Sequence, residues 1–244
     1  MKILVRILAL ARLLIIPALR NPLAYIVVFT APAIFMYLYW VVGGMRFGQH
    51  VLYGSLVAMA INAGIVTLPQ RVLEYRFRRL QDMFVASPLD QMSYMFGHAV
   101  SRLLHVAPGC LLVLGILISQ GQMPVSRVPI VAFVLALSWA SGCAIGFTLA
   151  TYVSSGTQLS ALANLVGMAM VLLPPVMYPL DLIAARWQWL AILAPSSSAA
   201  QIIASVGGSG GSRPQLLGLC WIVVGVWLGL CLALISRKSQ WREP

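Results

Sequence analysis

"YRFRRLQDMFVASPLDQ", residues 75–91, interrupts a chain that is otherwise dominated by apolar residues. Two long hydrophobic stretches flank it. Leu73, Phe77, Leu80 and Phe84 are spaced four, three and four apart, which predicts a single apolar stripe along a helix. Glu74 lies four residues before Arg78, the favourable order for an intrahelical ion pair, and Asp82 follows Arg79 and Arg78 by three and four. The residue before a proline resists the helical region, so this helix is expected to stop near Ala86. Ser87-Pro88-Leu89-Asp90 then reads as a restart, with Ser87 as N-cap, Pro88 as first helical residue and Asp90 closing a capping box. A loop that only reconnects two spans requires neither a striped helix nor a capped restart. The stretch is therefore expected to be a docking elbow for a partner.

The flanks decide the class. Of the 244 residues, 61% are hydrophobic and 9% charged, against about 25% charged in soluble domains. This is the composition of a membrane protein. The 16 Lys+Arg outnumber the 5 Asp+Glu. The positive residues sit beside apolar runs, so they are assigned to anionic lipid headgroups and to topology, not to nucleic acid. Cys110, Cys143, Cys220 and Cys231 lie inside apolar runs with no CxxC pair and read as small buried hydrophobes. Lys2, Arg6 and Arg12 break the apolar content of the first twenty residues, which argues against a cleavable signal peptide.

Spanning the hydrocarbon takes about 20 mostly apolar residues. Six segments qualify, at roughly 23–42, 51–69, 94–118, 129–153, 159–178 and 215–235. With both termini in the cytoplasm, the inner side holds eleven basic residues and the outer side four, Arg46, Arg127, Arg186 and Arg213. That asymmetry satisfies the positive-inside rule. Arg102 lies just within the third span and is expected to snorkel inward.

Residues 1–20 are expected to form an amphipathic helix in the headgroup plane. Lys2, Arg6 and Arg12 share one arc, with Ile, Leu and Ala opposite. Pro17 is expected to end or bend it, and Asn21-Pro22 to cap the first span. Residues 179–212 contain two apolar pieces broken at Pro195, each too short to cross, with Trp187 and Trp189 suited to a membrane interface. They are expected to form a re-entrant outer hairpin followed by the flexible loop GGSGGS. Phe35, Tyr37, Tyr39 and Trp40 read as an aromatic belt at the outer end of the first span.

Missing chemistry narrows the function. No Asp or Glu falls within a span, whereas ion-driven carriers usually place carboxylates there. No GxxxxGK[ST] loop exists, and the only lysines are Lys2 and Lys238. If the chain moves something uphill, energy enters from another polypeptide through cytoplasmic surface, for which the elbow and the N-terminal helix are the candidates. His98 and His105 lie seven apart on one helical face, but no cysteine or carboxylate completes a metal site. They are expected to be hydrogen-bonded within the bundle.

With these features, the chain resembles the permease subunit of a type-2 ABC exporter. The likeness rests on the N-terminal interfacial helix, the outer segment after span five and the stretch "EYRFRRLQDMFVASPLDQMSYMFG". In that stretch Glu74, Ser87, Pro88, Leu89 and Gly97 match the family's Glu/Arg-rich helix, SPLS turn and glycine. Arg78-Arg79-Leu80 stands where many relatives have Gly-Thr, and Asp90 replaces the last serine. The resemblance implies an all-α permease, 1–244, with six transmembrane helices, an interfacial helix (1–20), a coupling elbow (70–92) and a re-entrant outer segment (179–212). It further implies a second permease copy or paralogue and two cytoplasmic ATPase subunits carrying ATP and Mg, with no cofactor in this chain. Arg71, Glu74, Arg78, Arg79, Asp82, Ser87 and Pro88 would couple to the ATPase, and Lys2, Arg6 and Arg12 would meet membrane lipids. The protein would lie in the cell membrane with both termini cytoplasmic. An amphipathic or lipid-like cargo is expected. The rival readings are an ion-coupled carrier or channel and a membrane-embedded lipid-modifying enzyme.

Overall fold

The computed structural model describes residues 2–20, 48–77, 90–153, 155–208 and 214–238, with Met83 and scattered positions between 23 and 41. All regular structure among the described residues is helical. In chain order the helices are α1 (Lys2–Arg20), α2 (Gly48–Asn62), α3 (Leu68–Phe77), α4 (Gln91–Ser119), α5 (Val128–Tyr152), α6 (Gly156–Leu172), α7 (Ala185–Ile192), α8 (Pro195–Val206) and α9 (Pro214–Lys238). Among the described residues three stretches, Gln49–Tyr75, Ser93–Ser119 and Val125–Tyr152, are long and apolar enough to cross a membrane, and the bent pair α7–α8 makes up to four. Helices α6 and part of α9 are apolar but shorter.

The second predicted span and the first half of the elbow are one rod. A π-helical turn, Ala63–Thr67, joins α2 to α3 without a break. Pro69 explains it: proline has no N–H to donate, and its ring crowds the carbonyl four residues earlier. The helix widens just ahead of it, and Thr67 Oγ1 donates to Ala63 O at 2.6 Å within the widened turn. This rod is the centre of the molecule. Its most apolar window is 83% buried, against 28% for α4 and 39% for α5.

At the π turn, α5 crosses the rod at backbone contact. A Cβ on Gly64 would lie 2.1 Å from Cys143 N, and one on Gly146 would lie 2.1 Å from Gly64 O. Gly142 meets Ile61 O in the same way, at 2.3 Å. Beyond the crossing, Leu52, Leu56 and Val57 pack with Val113 and Leu117 of α4, Val131 and Val134 of α5, Ile202 and Ile203 of α8, and Val223 and Val224 of α9.

The outer segment departs from expectation. The fifth predicted span, 159–178, ends early, because Pro174 and Pro175 cannot continue α6 beyond Leu172–Leu173. The break at Pro195 is present, and α7 and α8 are bent by 108°. The two pieces differ in environment. Trp187 and Trp189 of α7 are exposed, whereas residues 195–204 of α8 are all buried in the bundle. The polar side chains of α8 satisfy carbonyls freed by the prolines. Ser196 Oγ donates to Met170 O, Ser198 Oγ to Ile192 O at 2.6 Å, and Gln201 Nε2 to Pro175 O at 3.2 Å. Where no water is available, such bonds are what permits a broken helix at membrane depth.

Helix α1 docks on the start of α4. Leu10 and Leu14 are buried against Tyr94, with Tyr75 and Met95 alongside. Gly97 admits Leu10, since a Cβ there would lie 2.7 Å from Leu10 Cδ2. Ile3, Leu4, Val5, Leu8 and Leu13, spread around the rest of the helix, are exposed. Pro17 does not end the helix, which continues to Arg20. The Asn21-Pro22 cap and the GGSGGS tract from Ser209 onward lie outside the described residues.

The restart of α4 also differs. Asp90 is not the third helical residue of a capping box. Its backbone is extended, at φ −88° and ψ 157°, and it is itself the N-cap, accepting from Ser93 N at 3.2 Å and from Ser93 Oγ at 2.6 Å. Aspartate takes this role because its carboxylate satisfies an amide that has no intrahelical partner. Ser87 and Pro88, the expected cap and first residue, lie outside the described residues. Arg6 of α1 approaches Asp90 Oδ1 at 3.6 Å. The Ser93 side-chain hydrogen bond is the main influence holding the Asp90 pKa below its ordinary value of 3.8, with Arg6 a smaller one.

Two outcomes follow. Gly146→Ala places a methyl against a backbone carbonyl and is expected to cost about 1–3 kcal/mol, lowering the apparent Tm in detergent followed by tryptophan fluorescence. Gly115→Ala, with nothing within 4 Å of its Cβ, is expected to leave the Tm unchanged or slightly raised. Asp90→Ala is expected to lower the Tm at pH 7 and Asp90→Ser to retain most of it. Because the folded carboxyl has the lower pKa, the wild-type advantage is complete above about pH 4 and is lost as the pH falls through the folded value. The gap between wild type and Asp90→Ala therefore narrows in acid.

Candidate functional site

The described groups among those selected from the sequence lie at one end of the bundle, where α3 ends, α4 begins and α1 packs on α4. Arg71 and Glu74 lie on successive turns of α3, and Arg71 Nη1 donates to Glu74 Oε2 at 2.6 Å. Their side chains are 48% and 32% exposed, so the pair is presented at the surface rather than locked in the core. Arg78, the partner expected for Glu74, lies outside the described residues together with Arg79 and Asp82. Arg6 and Asp90 form the second ion pair at this end. Arg12 is exposed on α1, and Lys2 begins that helix.

The striped face of α3 has two fates. Leu73 is buried with Leu68 and Val72 against Phe147 and Ala150 of α5 and Leu159 of α6. Phe77 is largely exposed but lies against the start of α6, where a Cβ on Gly156 would come within 2.8 Å of its ring. Leu80 and Phe84 lie outside the described residues. The stripe therefore ties the elbow to two spans.

Behind the surface pair lies a cluster that the sequence reading did not assemble. His98 is buried between two tyrosines, with ring centroids 4.4 Å from Tyr94 and 5.4 Å from Tyr75. Its Nε2 has no hydrogen-bond partner among the described residues, where ring packing, not the expected hydrogen bond, holds it. Arg102 does not extend to the surface. It is 6% exposed, and its Nη2 donates to Ser101 Oγ at 3.3 Å while Nε has no partner among the described residues. The charges of Arg71 and Glu74 both act on it. Tyr94 and His98, four apart, share one face of α4, a signal present in the sequence but uninformative until α3 is known to bring Tyr75 against it.

No group of three His, Cys, Asp or Glu residues that could hold a metal occurs among the described residues. Cys110, Cys143 and Cys220 are free thiols, the last two buried. The arrangement offers charged docking groups on a striped helix that is continuous with the central span.

Residues 6–206 match the family model described as ABC-2 type transporter, a stretch running from α1 to the end of α8. No curated protein matches the chain. The matched stretch holds the N-terminal helix α1, the rod with its charged end and the broken pair α7–α8, and the chain accordingly belongs to the ABC-2 type transporter family as a multi-pass membrane permease of an ABC transporter.

Proposed function

We propose that this chain is the path-forming subunit of an ATP-driven exporter. It pairs with a second permease, identical or paralogous, and is driven by two ATPase subunits that carry ATP and Mg. In this reading both termini are cytoplasmic and six spans cross the membrane, with α7–α8 as a re-entrant hairpin before the last. The eleven-to-four distribution of basic residues supports that orientation. Residues 1–20 act as the interfacial helix, with Lys2, Arg6 and Arg12 toward headgroups; the exposed apolar side chains of α1 support this. Residues 179–212 form the outer segment.

One observation carries the coupling assignment. Arg71 and Glu74 stand on the last turns of a rod whose other end lies in the hydrophobic core. A push on residues 70–92 is thereby delivered to the span that packs against α4, α5, α6 and α8. The ATPase-facing group is Arg71, Glu74, Arg78, Arg79 and Asp82, with Ser87 and Pro88 setting the bend. Apolar spans that carry no Asp or Glu fit an amphipathic or lipid-like cargo moving outward.

Glu74→Lys places a third positive charge beside Arg71 and Arg102. It is expected to reduce co-purification with the cognate ATPase by about tenfold, while the protein still inserts and extracts as a folded species. The exchange Arg71→Glu with Glu74→Arg, which restores the local charge balance, is expected to recover part of the association. Normal co-purification and transport by Glu74→Lys would show that the elbow is not the motor contact.

A further inference from the structure

Between the C-terminal half of α6 and helix α7 lies a groove of about 670 Å³. It exists because Pro174 and Pro175 stop α6 and the chain leaves the bundle before returning as α7. Ala169, Met170 and Leu173 form one wall, and Trp187, Leu190 and Ala194 the other. No charged or hydroxyl-bearing residue lines it. Its volume is that of a site for a whole small molecule, on the order of 300–1,000 Å³. Leu173, Trp187 and Leu190 are well exposed, so the groove opens sideways from the bundle.

A cation stands at its rim. The Arg186 guanidinium carbon lies 5.7 Å from the centroid of the Trp187 ring that lines the groove. The chain has little with which to neutralise it. Its acidic residues are Glu74, Asp82, Asp90, Asp181 and Glu243. Glu74 engages Arg71 and Asp90 engages Arg6. Asp181 is the acidic residue near the groove in sequence, and its charge acts on His50 of α2. No ion pair joins Arg186 to an acidic residue among the described residues. An apolar slot with a cation held at its mouth selects an amphiphile with a negative head. A second copy of this chain is a poor occupant, since it brings 16 basic residues and 5 acidic ones to a site already positive.

We propose that the groove binds a hydrocarbon chain of an anionic lipid, whose headgroup pairs with Arg186. Trp187 serves both parts, its ring bounding the slot and holding the guanidinium at the rim. The assignment rests on the groove and its rim cation, not on the motor-driven reading, and its test needs neither ATPase nor transport.

The full chain is reconstituted in phosphatidylcholine vesicles containing a trace of phosphatidylglycerol or phosphatidylcholine with a diazirine on the acyl chain. After irradiation, adducts are mapped by peptide mass spectrometry. Adducts are expected to concentrate on residues 166–174 and 187–194, well above those at Leu111 and Phe133, which are exposed apolar residues on other helices. The phosphatidylglycerol probe is expected to label the groove about fivefold more than the phosphatidylcholine probe. Arg186→Gln should abolish that preference while acyl adducts persist, and Ala169→Trp should suppress both. The wild-type map decides the matter even if Ala169→Trp fails to fold. Labelling as strong at Leu111 and Phe133 as in the groove would mean ordinary boundary lipid and overturn the proposal. So would equal labelling by the two lipids in the wild type.

Discussion

Gly64, Gly142 and Gly146 let two membrane helices touch backbone to backbone, and the packing of the bundle is built around that crossing. In a bilayer the apolar side chains gain nothing by leaving lipid for protein, so close approach and dispersion must hold helices together. Small residues make the approach possible. Here the closest approach coincides with the π turn ahead of Pro69, where the rod is already widened. Two sequence features that each weaken a helix locally are placed at one tertiary contact, where the neighbouring span supports the altered backbone.

The half of the bundle around α7 and α8 meets a related difficulty by a different route. Pro174 and Pro175 release carbonyls in a place poor in water, and Ser196 and Gln201 of α8 return donors to that region. The fully buried character of α8 follows. Ser196, Ser198 and Gln201 are not surface residues of a loose hairpin but hydrogen-bond donors to the carbonyls of a broken span. Leaving such groups unmet would cost several kcal/mol each. The same break that creates this demand opens the apolar groove beside α7, so the irregular backbone generates both the polar core of α8 and the lateral slot.

At the other end, charge is scarce and concentrated. Arg6, Arg71, Glu74 and Asp90 lie where α1, α3 and α4 meet, and Arg102 is buried behind them. Half-exposed ion pairs of this kind contribute little stability. What distinguishes the Arg71–Glu74 pair is its place on the end of the central rod, which runs as unbroken helix to the glycine crossing. The His98 ring packed between Tyr75 and Tyr94 makes a stiff contact between the rod and α4 at the same level.

Much of this was legible along the chain. The composition excluded a soluble fold, the apolar runs marked the helices, and Leu73, Asp90 and Pro195 announced a stripe, a helix start and a break. These are local signals, set by residues within about a turn of one another. Local logic also misplaced details. Asp90 proved to be the cap because the side chain able to answer it is Ser93, and Pro17 was accommodated because α1 is held by Leu10 and Leu14 on either side of α4's Tyr94. Tertiary structure alone decided that 195–204 would be buried, that Arg102 would stay inside, and that Pro69 would be met by a π turn under Gly146. The reason is physical: burial and backbone contact depend on what other helices present at the same depth, and no residue's nearest neighbours in sequence carry that information.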